Sequence, residues 1–182
     1  MHILDQAIAA SAAPHNQMRR IKARSKAADR GRSCPWLGQV VAHHQRIEEA
    51  FAAVHATRDA GARRRAERRL ATLLSGHAVA EEAVLYPAMS AAHQKAHAVA
   101  AYEAQSRFKV MLALLAATPP MSAGYEEELA TLRDAVAWHV LDEEGSWFPA
   151  LARSGDAAQQ ARLGARYAAE FERCMGPDAM DE

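Results

Sequence analysis

Cysteine is nearly absent from this chain of 182 residues: Cys34 and Cys174 are the two present, and they lie far apart. That excludes a disulfide framework and zinc-finger spacing, leaving at most a single bridge open. Runs of β-branched residues and Asn-Gly or Asp-Gly hairpin turns are missing too, which argues against sheets. No stretch reads as a membrane span or a secretory leader. The alanine-rich run from Ala7 to Pro14 is too short, and no basic segment precedes it. A soluble cytoplasmic protein, with no membrane partner, is the expectation. Net charge is zero, so nucleic acid is not expected as a partner. Two basic clusters, Arg19 to Arg32 and Arg58 to Arg69, read as solvated flanks and a helix surface.

Alanine, leucine, glutamate and arginine dominate, and half of the residues are hydrophobic (50%). The chain therefore reads as all-α, with enough apolar material for one filled domain plus extensions. Residues 1–34 form a basic N-terminal extension, with a short helix expected around 16–28. Residues 35–153 form the compact domain. Residues 154–182 give a short C-terminal helix over about 156–173 and an acidic tail. Within the compact domain, a first helix over Trp36–Thr57 carries Leu37, Val40, His44, Ile47, Phe51 and Val54 on one stripe, and Gly61 is expected to break it. A second carries Leu70, Leu74, His77, Glu81 and Val84 inward. A third, about 92–117, places Ala101, Gln105, Phe108, Leu112 and Leu115 in phase until Thr118-Pro119-Pro120 stops it. A fourth aligns Leu129, Leu132, Val136, His139 and Glu143. Amphipathic helices of similar length on short connections predict an antiparallel four-helix bundle. The faces over 58–69 and 156–173 leave a homo-oligomer open.

Two stretches break the apolar pattern in the same way: His77-Ala-Val-Ala-Glu81-Glu82 and His139-Val-Leu-Asp-Glu143-Glu144. One helical turn separates each histidine from its glutamate, so an imidazole nitrogen and a carboxylate oxygen can reach one point. Carboxylates in a core-facing phase are costly unless something positive meets them. A surface helix pair, worth about 0.3–0.5 kcal/mol, gives no reason to turn them inward. His44 adds a nitrogen from the first helix, and such mixed nitrogen and oxygen ligation suits iron or manganese. On the third helix His97 is favoured as ligand, with Gln105 as a hydrogen-bonding group beside the site. The metal set is thus His44, His77, Glu81, His97, His139 and Glu143, with Glu144 as the alternative to Glu143. His43 belongs at the site's edge or on the surface. Tyr86, Trp138, Trp147 and Phe148 read as bundle packing, Tyr86 having the alternative of a phenol near the metal.

These elements resemble the hemerythrin-like, HHE cation-binding family. The resemblance runs from about Trp36 through Leu151, on His43-His44-Gln-Arg-Ile47-Glu and the two His-x-x-x-Glu-Glu stretches, continued by Tyr86-Pro87 and Phe148-Pro149. It implies a bundle holding two iron ions, Fe2+ or Fe3+, joined by an oxo or hydroxo bridge and by the carboxylates of Glu81 and Glu143. The family's third-helix pattern places a histidine before x-x-x-Lys; here Gln105 precedes Lys109 and His97 lies two turns earlier. The resemblance implies a non-haem di-iron protein that binds or redox-processes dioxygen, peroxide or nitric oxide. A metal-dependent sensory or interaction bundle without turnover is the alternative. Histidine–carboxylate pairs suit bare cations better than haem, so adding haem to the protein should produce no Soret band in its optical spectrum.

Overall fold

The computed structural model describes residues 3–176, with side chains from residue 17 onward. Helix α1 spans Ile3–Gly31, α2 Pro35–Ala56 and α3 Ala60–Ala80. A wide π-helical turn, Glu81–Leu85, joins α3 to α4, Tyr86–Ala91. Helix α5 spans Lys95–Ala117 and α6 Ala123–Asp142. A second π-helical turn, Glu143–Trp147, leads into α7, Phe148–Leu151, and α8 spans Ala157–Met175. Helix α2, the α3–α4 rod, α5 and the α6–α7 rod make an antiparallel four-helix bundle. Helices α1 and α8 are added around it.

Local chemistry sets the boundaries. Pro35 occupies the first turn of α2, where a missing N–H costs nothing. The Asp59 side chain accepts from the Ala62 N–H at 2.8 Å, and Ser122 does the same for Tyr125 at 3.2 Å. Asp156 and Gln159 satisfy each other's backbone N–H groups in a capping box at the start of α8. The break after α2 therefore falls at Thr57–Asp59, and Gly61, expected to break the helix, lies inside the first turn of α3. The short helix expected around 16–28 is part of a much longer one, because alanine-rich sequence sustains a helix and Ala23 and Ala27 are buried against the bundle. The end of the acidic tail, 177–182, lies outside the described residues.

The core follows the expected stripes. Leu37, Val40, Ile47, Phe51 and Val54 of α2 are buried, as are Leu70 and Leu74 of α3, Ala101, Phe108 and Leu115 of α5, and Leu129, Leu132 and Val136 of α6. Leu112 is half-buried. Trp138, expected to pack, is 48% exposed, since Val136, His139 and Val140 take the inward positions around it. The cluster 58–69 is not a fully solvated face. Arg63 is buried, donating to Glu126 and to the carbonyls of Thr57 and Pro120, while Glu67 accepts from Arg64 and the Tyr125 hydroxyl. These bonds tie the start of α3 to the α5–α6 connection.

Each π turn begins at the glutamate of a His-x-x-x-Glu stretch and ends before a proline. The Tyr86 N–H reaches back five residues to the Glu81 carbonyl, and Phe148 does so to Glu143. In an α-helix, five residues rotate a side chain about 140° away; the wider turn brings it back. Tyr86 consequently shares the face of Glu81, and Phe148 that of Glu143.

Helix α1 approaches α2 at two glycines. A Cβ at Gly31 would sit 2.9 Å from the Gly38 Cα, whereas a Cβ at Gly38 would meet its nearest atom at 3.6 Å. The α2 backbone cannot yield to the first contact. Gly31→Ala should cost about 1–3 kcal/mol, the usual range for overpacking, and raise amide exchange along α1. Gly38→Ala should leave both the melting temperature and the exchange close to those of the native chain.

Candidate metal centre

Histidines and glutamates from α2, the α3–α4 rod and the α6–α7 rod converge in the middle of the bundle. One ligand atom from each of His44, His77, Glu81 and Glu143 lies within 4.8 Å of all the others, and all four residues are buried. Glu81 Oε1 lies 3.1 Å from His77 Nε2 and 3.9 Å from His44 Nε2. Glu143 Oε2 lies 3.4 Å from His44 Nε2. Among the described residues, His44 Nε2, Glu81 Oε1 and Glu143 Oε2 have no hydrogen-bond partner. Buried polar atoms are otherwise paired almost without exception. Three such atoms aimed at one spot, with His77 Nε2 beside them, form a donor set of two nitrogens and two oxygens able to chelate a metal ion.

The remaining carboxylate oxygens face the other way. Glu81 Oε2 and Glu143 Oε1 each accept from the Tyr86 hydroxyl at 3.0 Å, and His139 Nε2 lies 3.0 Å from Glu143 Oε1 and 3.2 Å from that hydroxyl. Gln105 donates its amide to Glu81 Oε2 at 2.6 Å and also reaches the Tyr86 hydroxyl. Glu81 and Glu143 thus each turn one oxygen toward the cluster with His44 and His77 and the other toward Tyr86 and His139.

A further layer holds the imidazoles. His44 Nδ1 donates to Glu144 Oε1 at 2.9 Å, and Arg24 of α1 grips both Glu144 oxygens at 3.1 and 3.2 Å. His77 Nδ1 lies 3.1 Å from the Tyr167 hydroxyl of α8, which also meets His43 Nδ1 at 2.8 Å. Such contacts leave Nε2 free to ligate. Half-buried His43 stacks on Phe171 and has no atom in the four-residue set, as its edge placement anticipated.

Of the six residues expected to bind metal, the structure gathers His44, His77, Glu81, Glu143 and, on the far side of the carboxylates, His139. It does not bring His97 to them. His97 is exposed and stacks on Trp147 at 5.5 Å, and Trp147 in turn meets the edge of His139. The third helix instead offers buried Gln105, a hydrogen-bonding group as expected. His97 lies two turns from Gln105, and helical drift of about 80° over those eight residues turns it out of the core. Glu144 is buried as well; its oxygens meet His44 Nδ1 and Arg24, and it is not in the four-residue cluster. The Tyr86 hydroxyl lies among Glu81, Glu143 and His139, the placement that its phenol alternative requires. Tyr167 and Arg24 carried no signal in the helical stripes, because their partners lie across the chain.

Protonation follows the same geometry. Burial opposes charge on His44, but the hydrogen bond to Glu144 and the attraction of Glu143 and Glu144 outweigh it and push its pKa up to about 10. Burial and the neighbouring Glu143 carboxylate raise Glu81 well above the usual range. Glu143, despite burial, is held below that range by His139 and His44. Burial and the charge on His44 keep His77 neutral. Protonation of His44 and Glu81 is thus favoured at atoms for which a cation would compete.

Comparison with known proteins agrees with this geometry. The family described as the hemerythrin HHE cation binding domain matches residues 37–151. A protein of Nostoc sp. described as a DNA nickase is 31% identical over 99 residues, which cover 54% of this chain and 27% of that protein. The chain spans about a quarter of that relative's length. No solved structure matches.

A cation competes with the proton favoured on His44, so the pH dependence of its uptake has a fixed sign. Below the His44 pKa of about 10, affinity for ferrous iron should rise with pH, about tenfold per unit for each proton released. Calorimetric titration in buffers of different ionisation enthalpy reads that release; equal affinity across neutral pH would contradict it.

Proposed function

The chain belongs to the hemerythrin HHE cation-binding family, and from that premise we propose that it is a non-haem di-iron protein that binds or redox-processes a small species such as dioxygen, peroxide or nitric oxide. The observation that carries this reading is the division of the carboxylate oxygens. Glu81 Oε1 and Glu143 Oε2 face His44 and His77, while Glu81 Oε2 and Glu143 Oε1 face Tyr86 and His139. Carboxylates in that arrangement are suited to bridging two ions, and two cations would offset the charge that makes this core costly.

The two positions are unequal. The first has two histidine nitrogens; the second has His139 alone, with Gln105 and the Tyr86 hydroxyl where further ligands would come. The second ion should therefore be held more weakly. When bound, iron supplies one-electron chemistry and an open coordination position. The protein's part is to fix the imidazoles, exclude water and keep the Tyr86 O–H beside the second position, ready to hydrogen-bond a small ligand there. A cavity of about 430 Å³ between α2 and α6 has the apolar side chains of Ile47, Phe51, Val136 and Val140 in its wall and reaches His44.

The sensory alternative has its own support: Arg24 and Tyr167, from helices outside the matched residues, reach groups that hold two of the histidines. Both readings need a bound metal, and iron uptake tests the first of them. After anaerobic iron reconstitution, the protein should hold close to two iron ions per chain. His77→Ala should weaken the first position and His139→Ala the second, with the double variant retaining none. A folded native chain that takes up no iron and shows no near-ultraviolet iron absorption would sink the proposal.

A further inference from the structure

We propose that α1 and α8, outside the matched residues 37–151, are working parts of the metal site: Tyr167 of α8 fixes the ring of His77, Arg24 of α1 acts through Glu144 to fix that of His44, and metal uptake is thereby linked to the docking of α8. The inference rests on His44 and His77 ligating a cation, as argued above.

Helix α8 is seated on histidines. Its buried residues are Tyr167 and Phe171. The first places its hydroxyl against His77 and His43, and the second stacks on the His43 ring with centroids 3.7 Å apart. Close approach is built in nearby, where a Cβ at Gly76, the residue before His77, would collide with the Met175 side chain at 2.9 Å. A phenylalanine at 167 would fill the same space. The hydroxyl is the part that packing does not require, and it is fully buried with a polar partner on each side.

Ligation settles the direction of those hydrogen bonds. A histidine bound through Nε2 carries its proton on Nδ1, so His77 Nδ1–H donates to the Tyr167 oxygen. The Tyr167 O–H then donates to His43 Nδ1. Ligation selects the His77 tautomer and ring position that α8 recognises. Free of metal, the same ring is at liberty to take the other tautomer, which places a lone pair on Nδ1 and changes what the hydroxyl meets. Binding energies coupled through a shared group are reciprocal: whatever docking of α8 adds to metal affinity, the metal returns to docking.

The α1 side has the same logic. Glu144 is buried and accepts from His44 Nδ1, and its charge is met by Arg24, which is also tied to Glu48 at 2.7 Å. Both arms work as positioning contacts and touch no substrate.

The test uses the full chain with ferrous iron under anaerobic conditions, read by iron affinity against a competing chelator and by amide exchange over 157–175. Tyr167→Phe should weaken the affinity about 10–100-fold, the range typical for lost support of a metal-ligating histidine. In the native chain iron should slow exchange across α8; in the variant that added protection should largely vanish. Tyr125→Phe is the control. It removes a buried hydroxyl bonded to Glu67 at 3.1 Å, nearly three turns along α3 from His77, and should leave iron affinity unchanged. Iron affinity within twofold of native in Tyr167→Phe overturns the positioning role. Equal α8 exchange with and without iron in the native chain overturns the linkage, even should the variant fail to fold. A native chain that binds no iron removes the metal reading itself and this inference with it, whereas normal iron uptake with an indifferent Tyr167 removes this inference alone.

Discussion

The structure turns on two carboxylates, Glu81 and Glu143, that lie fully buried in the centre of a helical bundle. Moving one such charge out of water costs several kcal/mol even after the protein relaxes. The surroundings answer that cost piece by piece. Tyr86 donates to both carboxylates, Gln105 to Glu81, and the imidazoles of His44 and His139 lie against Glu143. Yet the oxygens aimed at His44 remain without hydrogen-bond partners among the described residues. A hydrogen-bond network meant to neutralise the pair would have satisfied those atoms first. Leaving them bare beside two imidazoles makes sense as a place kept for a cation.

That constraint also accounts for the local backbone. A carboxylate one α-helical turn after its histidine reaches the centre, but the next inward residue would fall three or four positions on, at Val84, Leu85 or Trp147. The π turns move the inward register to the fifth position, delivering Tyr86 to the carboxylates and Phe148 to the Trp36 ring. Pro87 and Pro149, which have no N–H to return to the preceding turn, make a regular α-helix less favourable at the same point. Each rod thus combines an α segment that sets the ligand pair with a wide turn that sets what lies beyond it.

Much of this was legible in the chain itself. The stripes of α2, α3 and α6 carried His44, His77, Glu81, His139 and Glu143 at α-helical spacing, and periodicity is what a sequence displays most directly. Helix α5 was harder. Gln105 sat in the apolar stripe while His97 had the better donor atom, and the structure places the residue of better phase in the core. Phase is a property of the backbone, whereas ligand chemistry enters only if the backbone points the group inward. Trp138 teaches the same lesson, since a large apolar side chain did not overcome a position facing water. The π turns lay beyond reach because a one-residue widening depends on how rods pack. Tyr167 and Arg24 were invisible for a different reason: their contacts with His77 and Glu144 join positions 90 and 120 residues apart.

Those two long-range contacts alter what counts as the domain. A bundle of four helices with a polar centre has to support each ligating imidazole from behind, and the far ring nitrogen points away from the metal, toward the outside of the bundle. The group that meets that nitrogen belongs to a supporting layer behind the ring: a side chain of the next rod, an added helix, or water. Here the layer is protein. Glu144 and Arg24 stand behind His44, and Tyr167 stands behind His77, while His139 Nδ1 has no such partner among the described residues. His44 and His77, both in the four-residue cluster, are braced, and His139 is not. Bracing reduces the freedom an imidazole loses on ligation, so the added helices would favour a cation held by His44 and His77 over one held by His139.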